Sequence, residues 1–320
     1  MTETVLVTGG CGFIGANLVP HLANAGFDVR VFDNLSRGKR EYIPASVNYE
    51  FYQGDLRDSS ALAEAFAGVD RIVHLAAYGS VVESVVDPIE NFEINARGTL
   101  NVLKAAHEAG VKKLVFSSTG GALIGDATPP VNENSVARPK SAYGASKLTG
   151  EAYCYAFGQT HEFPVTVLRF ANIYGPISAH KKGAITVFSK AIIKGDPIII
   201  FGDGSASRDF LHVDDLGSGI LAALTSDLPP ATVLHVATGR ETTMKELVSV
   251  LLEAAGAPDH PIEYQAPRAG EVHRNFATYD LAASLLGFEP KVGLEAGMKR
   301  TWEWFQAQGK EILDVETTDS

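Results

Sequence analysis

Cysteine is nearly absent from this chain: Cys11 and Cys154 are the only two. Two thiols so placed give no metal-ligand pattern and no disulfide framework, so reduced thiols and a cytoplasmic setting are expected. Also missing are any apolar run of about 18 residues and a basic-then-apolar N-terminus, so neither a membrane span nor a signal peptide is expected. Positive charge is short as well. Lys and Arg number 27 against 38 Asp and Glu, a net charge of −11, which argues against nucleic acid or an anionic membrane as the main partner. No internal repeat or low-complexity linker interrupts the chain. What remains is the composition of an ordinary soluble enzyme, 45% hydrophobic and 20% charged with 31 glycines among 320 residues. That length allows one large core, or one domain with a smaller lobe.

Taken in order, Thr4 to Thr8 is a short apolar run and a candidate buried strand. Gly9, Gly12 and Gly15 follow at once, and helical periodicity then runs through Leu18, Val19 and Leu22. Strand, glycine turn and helix make a phosphate cradle, because small residues let backbone N–H groups approach a pyrophosphate at the helix N-terminus. Asp33 ends the next strand, Asp28 to Phe32, where an acid accepts both ribose hydroxyls of adenosine. The same charge repels a 2′-phosphate, which favours NAD over NADP, although Arg37 stands nearby. Val47 to Gln53 and Arg71 to Leu75 read as further strands. Asp55 after the third is either a contact for an adenine amino group or a turn aspartate. Ala76 and Ala77 are small enough to pass beneath a cofactor. Asn95, among the apolar positions of a helix expected over Asn91–Ala109, is either a polar pin between helix and loop or exposed. Lys113 to Ser117 is a fifth strand, ending in a hydroxyl cluster that includes Thr119, and Pro164 to Arg169 a sixth. Strands and helices alternate throughout, as in a doubly wound parallel α/β sheet.

Tyr143 and Lys147 stand four residues apart. Pro139 and a plausible N-cap at Ser141 start a helix that puts both on one face. A free phenol has a pKa of about 10, and bringing it to about 7 takes roughly 4 kcal/mol of phenolate stabilisation. One ammonium at about 4 Å, at an effective dielectric of about 20, supplies a term of that size. The pair is therefore expected to act as a proton-transfer catalyst in which Lys147 lowers the pKa of Tyr143. Beyond Phe170 the alternation loosens. Asn172 to Pro176 reads as a turn-rich boundary, and Arg208 to Asp215 as a return to the sheet. Arg208 and Arg268 either pair with phosphates through their forks or form surface ion pairs. His180-Lys181-Lys182 either steers an anionic substrate or is a solvated loop. Helices are expected near Thr243–Ala255 and Leu294–Gln308, with a frayed acidic tail from Lys310.

Together these strings (GGCGFIG, GDL, HLAA, SSTGGALIG, YGASK, RFANIYGP, RDFLHVDD and PRAGE) resemble the extended short-chain dehydrogenase/reductases over nearly the full length. Within them the chain is most similar to the UDP-sugar 4-epimerases. The resemblance implies a Rossmann sheet, formed by residues 1–170 with a return segment 208–238, and a smaller substrate-binding lobe from 171–207 and 239–320. It implies NAD as cofactor, held by Gly9, Gly12, Phe13, Ile14 and Gly15, by Asp33, Asn34, Ser36 and Arg37, and by Asp55 and Leu56. Leu75, Ala76, Ala77, Asn95, Ser117, Tyr143, Lys147 and Phe170 complete the implied cofactor set. Thr119 would bond the sugar 4-hydroxyl and Tyr143 act as base, with Lys147 on the nicotinamide ribose. Asn172, Arg208 and Arg268 would meet the diphosphate, Ile199 and Phe201 the uracil, and Glu271 the uridine ribose. Ile185 joins this substrate set. No metal is implied, and a homodimer through the Asn91 and Tyr143 helices is.

Three departures bear on the reaction. Ile124-Gly125 replaces the Tyr-Gly that usually ends the hydroxyl-strand motif. Gly120 and Gly121 stand where sugar-nucleotide dehydratases carry an acidic pair, and are expected to leave room for a sugar ring to turn over. Asn275 occupies the position that sizes the pocket at the C2 substituent, and is neither bulky nor smallest. The expected activity is inversion at C4 of a UDP-hexose through a 4-keto intermediate, with glucose/galactose or the N-acetylated pair as substrates. UDP-glucuronate epimerisation, dehydration or decarboxylation, keto-sugar reduction and a non-catalytic NAD-sensing role are the alternatives.

Overall fold

The computed structural model describes residues 2–267 and 272–313. Arg268 and Glu271 lie outside the described residues. Six strands, β1 (Thr4–Thr8), β2 (Asp28–Asp33), β3 (Glu50–Gln53), β4 (Arg71–His74), β5 (Lys113–Thr119) and β6 (Val165–Phe170), run parallel in one sheet. A seventh, Thr232–Val236, pairs in parallel with β6 and closes that edge. The order across the sheet is Thr232–Val236, β6, β5, β4, β1, β2, β3. Parallel strands covered on both faces read as continuous apolar runs, and successive side chains go to opposite faces. Val5, Val7, Val31 and Val115 accordingly join one core cluster, while Leu6, Phe32, Leu114 and Phe116 join the other. Strand order reverses between β1 and β4. At such a switch point the connections depart to opposite sides and leave a crevice at the carboxyl ends. This is the expected doubly wound, Rossmann-like sheet.

Ser141 does cap the helix Ala142–His161, its Oγ accepting from Gly144 N at 3.1 Å. The helix expected over Asn91–Ala109 comes in three parts: α at Pro88–Phe92, a wide π turn at Glu93–Arg97, and α again at Gly98–Glu108. Other expectations need correction. The third strand begins at Glu50, not Val47, because Val47 N closes a turn onto Pro44 O. The hydroxyl cluster Ser117–Thr119 is part of β5 itself. Arg208 to Asp215 does not rejoin the main sheet, whose edge Thr232–Val236 has taken. Instead Ser207–Arg208 pairs with Thr242–Thr243 and Arg274–Asn275, and Phe210–His212 with Asn172–Tyr174. Helices Ala184–Lys194, Met244–Ala255 and Leu294–Gln308 enclose a further cluster that includes Phe188, Leu247, Leu251, Met298 and Phe305. Cys11 and Cys154 are free and buried. Among the described residues no helix is long and apolar enough to cross a membrane.

Candidate active site

One cleft of about 1490 Å³ opens at the carboxyl ends of β1, β2, β4, β5 and β6 and continues beneath the C-terminal lobe. Its first wall is the glycine turn. Gly9 has φ +69°, and a Cβ there would stand 2.7 Å from Ala76 N, so the ends of β1 and β4 meet backbone to backbone. A Cβ on Gly12 would meet nothing nearer than Gly9 O at 3.3 Å. The first N–H groups of helix Phe13–Asn24 close this turn, and such groups have no partner within their own helix. Asp33 is buried, accepting from Leu35 N at 2.8 Å and Cys11 N at 3.0 Å. Burial raises its pKa, against the pull of those two amides. Asp55 is held well below the usual carboxylate range, at about 2, chiefly by the Arg57 guanidinium that grips both its oxygens.

Thr119, Tyr143 and Lys147 line the middle of the cleft together with Ser117 and Phe170. Lys147 Nζ donates to Ser117 O at 2.8 Å and lies 4.9 Å from the centre of the Phe116 ring. Burial pushes its pKa down to about 8. Burial likewise pushes the Tyr143 phenol up to about 12. Desolvation of the phenolate thus opposes the lowering expected from Lys147, whose ammonium also donates to a strand carbonyl.

The far end of the cleft belongs to the lobe. Burial alternates along Ile198–Phe201, so Ile198 and Ile200 enter the lobe core, while Ile199 and Phe201, with the edge of Ile200, line the cleft. Ile185, in the first turn of its helix, lines it too, as do Asn172 and Arg208. Asn172 Nδ2 donates to Asp209 O at 3.1 Å, and an Arg208 guanidinium nitrogen donates to Ser207 O at 2.8 Å. The room expected at the two glycines is already taken. A Cβ on Gly120 would stand 3.3 Å from the His235 ring, and one on Gly121 would stand 2.8 Å from Asn275 Nδ2. Burial holds His235 neutral, with its pKa down to about 4. Ile124 turns away from the cleft into a small apolar cluster with Leu123 and Val131.

The sequence model of the NAD dependent epimerase/dehydratase family matches residues 5–237. The chain belongs to the NAD-dependent epimerase/dehydratase family. It is 37% identical over 312 residues to the UDP-glucose 4-epimerase of Mycolicibacterium smegmatis, covering 94% of this chain and 98% of that one. A crystal structure of UDP-glucose 4-epimerase with UDP-glucose from Thermotoga maritima superposes with a TM-score of 0.90 at 37% identity, covering 96% and 99% of the two chains. The dTDP-glucose 4,6-dehydratase DesIV from Streptomyces venezuelae, with NAD bound, gives 0.91 at 30% identity over 98% and 100%.

NAD is the family's cofactor, and the side-chain-free turn at Gly12 and the buried acid at Asp33 suit a dinucleotide. Of the sequence candidates for its site, Asn95 alone does not line the cleft. It is 2% exposed and pins a loop, accepting from Tyr78 N at 2.7 Å and donating to Tyr78 O at 3.2 Å and Ser146 Oγ at 3.0 Å. Of the two readings left open for it, the polar pin is correct. Other supports gave no sequence signal. Ser84 Oγ accepts from Tyr143 N at 3.1 Å. Glu151 pairs with Arg169 at 2.7 Å and accepts from Ser118 Oγ at 2.5 Å, tying the Tyr143 helix to β5 and β6. Asp209 accepts from Thr238 Oγ1 at 2.7 Å and Gly239 N at 3.0 Å, setting Arg208 beside the seventh strand. Each partner lies some 18 or more residues away, and a periodicity window does not reach that far.

Proposed function

We propose that the protein is an NAD-dependent UDP-sugar 4-epimerase. The observation that carries this reading is the surroundings of Thr119. Tyr143 and Thr119 face the cleft together, while the next two positions carry no side chain and are covered by a neutral imidazole and an amide. Tyr143 removes the proton of the sugar 4-hydroxyl, Thr119 orients that hydroxyl, and Lys147 positions the cofactor ribose. NAD held in this cleft would supply the hydride acceptor for C4 and afterwards the donor. Asn172 and Arg208 hold the diphosphate while the 4-keto ring turns over, and Tyr143 returns the proton. Elimination would need a second base at C5 and a proton donor for the C6 hydroxyl. His235, held neutral, has no readily given proton, and Asn275 does not titrate. The elimination pair is therefore incomplete.

Incubation with UDP-glucose, UDP-N-acetylglucosamine and UDP-glucuronate in turn, followed by proton NMR, tests the reading and selects the sugar. The expected product is an equilibrium pair of C4 epimers. A 6-methyl doublet, or a pentose formed from the uronic acid, would overturn it. The same reading includes a homodimer. Ile89 and Phe92 are exposed on the short helix Pro88–Phe92, beside Ala142–His161 and outside the lining of the cleft. Phe92→Glu should convert a dimer to a monomer in light scattering, and a monomeric wild type would remove this part of the proposal.

A further inference from the structure

The basic triplet His180-Lys181-Lys182 is not absorbed by the epimerase reading, yet all three residues line the cleft. It lies in the segment 177–183, which crosses from β6 and its short successor strand to the lobe helix Ala184–Lys194. Three successive side chains each dock on a different part of the cofactor half. The His180 ring stacks on Tyr42, beyond β2, with centres 6.4 Å apart and planes 14° from parallel. Lys182 Nζ lies 3.1 Å from Glu83, a buried carboxylate that also pairs with Arg37. The Arg37 guanidinium in turn rests 4.5 Å above the Tyr78 ring, in the loop that Asn95 pins. The base of the segment is tied as well, Asn17 Nδ2 donating to Pro176 O at 3.1 Å.

Between these two anchored neighbours stands Lys181. Its ammonium lies 5.2 Å from the centre of the Phe13 ring. Phe13 is the first residue of the helix that closes the glycine turn. Among the described residues no carboxylate pairs with Lys181, and burial lowers its pKa. Lys181 is half-buried at the cleft wall, and an ammonium partly withdrawn from water is stabilised when an anion answers it. At this place the helix N-terminus already offers unpaired N–H groups to an anion, and Gly12 puts no side chain in the way.

We infer that Lys181 is a ligand of the cofactor pyrophosphate, reaching it from the lobe side opposite the glycine turn, and that the Arg37–Glu83–Lys182 bridge fastens the segment carrying it. The dinucleotide is thus gripped from both sides, and its release requires this segment to lift. The inference rests on NAD occupying the cleft. It adds that retention of NAD is a property of the lobe as well as of the glycine turn.

The test begins with wild-type protein, denatured after gel filtration and assayed for released NAD. Absence of NAD, together with no thermal shift on adding it, would overturn both the cofactor reading and this inference. With NAD present, its dissociation is followed by exchange against an excess of etheno-NAD, a fluorescent analogue. Lys181→Gln should release NAD about 10 to 100 times faster, the loss expected for one charge-assisted contact. Lys181→Arg should stay near wild type, and Glu83→Gln should fall between. The KM for the UDP-sugar should change less than twofold in Lys181→Gln. A wild-type release rate in Lys181→Gln would overturn the inference alone, and so would a raised UDP-sugar KM with NAD retention intact, which would place the cation on the substrate. Thermal melts separate this role from a structural one. Stripped of NAD, Lys181→Met should melt no lower than stripped wild type, while its gain in Tm on adding NAD should be smaller. A stripped variant that melts lower and keeps the full gain would refute a role on the cofactor.

Discussion

The two ends of the cleft are built differently. The cofactor end is made from the tips of adjacent strands in one sheet, where backbone meets backbone at Gly9 and Ala76 and where the amides of Leu35 and of Cys11 in the glycine turn fix Asp33. The sugar end is made from ladders only two to four residues long, held by side chains such as Asp209 and by the lobe core. A site made of backbone tolerates little variation in what it holds. A site made of side chains on short ladders can be reshaped without disturbing the sheet. Solved structures of the same fold include a UDP-glucose 4-epimerase with UDP-glucose and a dTDP-glucose 4,6-dehydratase with NAD.

Mutations at either end should break the molecule in different ways. The largest effect is expected between the ends, at Tyr143. Tyr143→Phe should lower kcat by roughly 10² to 10⁴-fold, the usual worth of a general base, with NAD content and Tm unchanged. Half-maximal activity in that variant would remove Tyr143 from the chemistry. Next comes the cofactor end. A Cβ on Gly15 would collide with Gly9 O and stand 2.5 Å from Gly10 Cα, both main-chain atoms unable to give way. Gly15→Ala should cost about 3 kcal/mol and lose NAD, as read by a chemical melt and by NAD content. A variant as stable as wild type would mean that this turn is less rigid than its geometry. At the sugar end, Arg208→Ala should leave the melt unchanged and raise the KM for the UDP-sugar by the equivalent of about 1.5–3 kcal/mol, with kcat nearly constant. Loss of stability instead would show that the two ends are not separable.

The smallest effect sharpens the comparison through pH. Burial holds His74, under the cofactor end, at a pKa of about 3, and His235, at the sugar end, at about 4. Both folded values lie below an unfolded value of about 6.5, so the unfolded chain binds more protons in the interval. Stability is then full above about pH 6.5 and falls as pH drops towards the folded values, by on the order of 1 kcal/mol per histidine between pH 7 and 5. Urea melts at the two pH values should show the fall, with a smaller one in His235→Asn. An identical slope in that variant would mean that His235 is already protonated in the fold.

Most of the cofactor end was legible in the sequence because its determinants are contiguous. A strand, three glycines at a spacing of three, a helix and an acid at the next strand end are local strings, and local strings make this half. The sugar end was legible only by resemblance. Arg208 lines the cleft, but its strand was assigned to the wrong sheet, since nothing in Arg208 to Asp215 says which edge is already filled by Thr232–Val236. The pKa of Tyr143 was only half legible for a similar reason. The spacing to Lys147 fixes a shared helix face, while the depth of the phenol and the carbonyl that occupies the ammonium depend on β5. Glu83, Ser84, Glu151 and Asp209 look in the sequence like any surface polar residue, and become supports only when the partner strands arrive.

The wide turn at Glu93–Arg97 gives chain length a meaning along residues 88–108. An α-helix advances by 3.6 residues per turn, so one residue inserted or deleted within it rotates everything beyond by about 100°. A π turn is the way a helix stores one surplus residue without passing that rotation on. Loss of a single residue inside Glu93–Arg97 would let an ordinary helix form with Pro88–Phe92 and Gly98–Glu108 still showing their present faces. The same loss a few positions further along would throw Val102, Leu103 and Ala106 out of the core. Asn95, which bonds both Tyr78 and Ser146, stands within this wide turn. A shortened helix should therefore fold and pack while loosening the Tyr78 loop, which would keep its bond from Asn91 Nδ2 to Tyr78 O at 3.0 Å and lose those from Asn95.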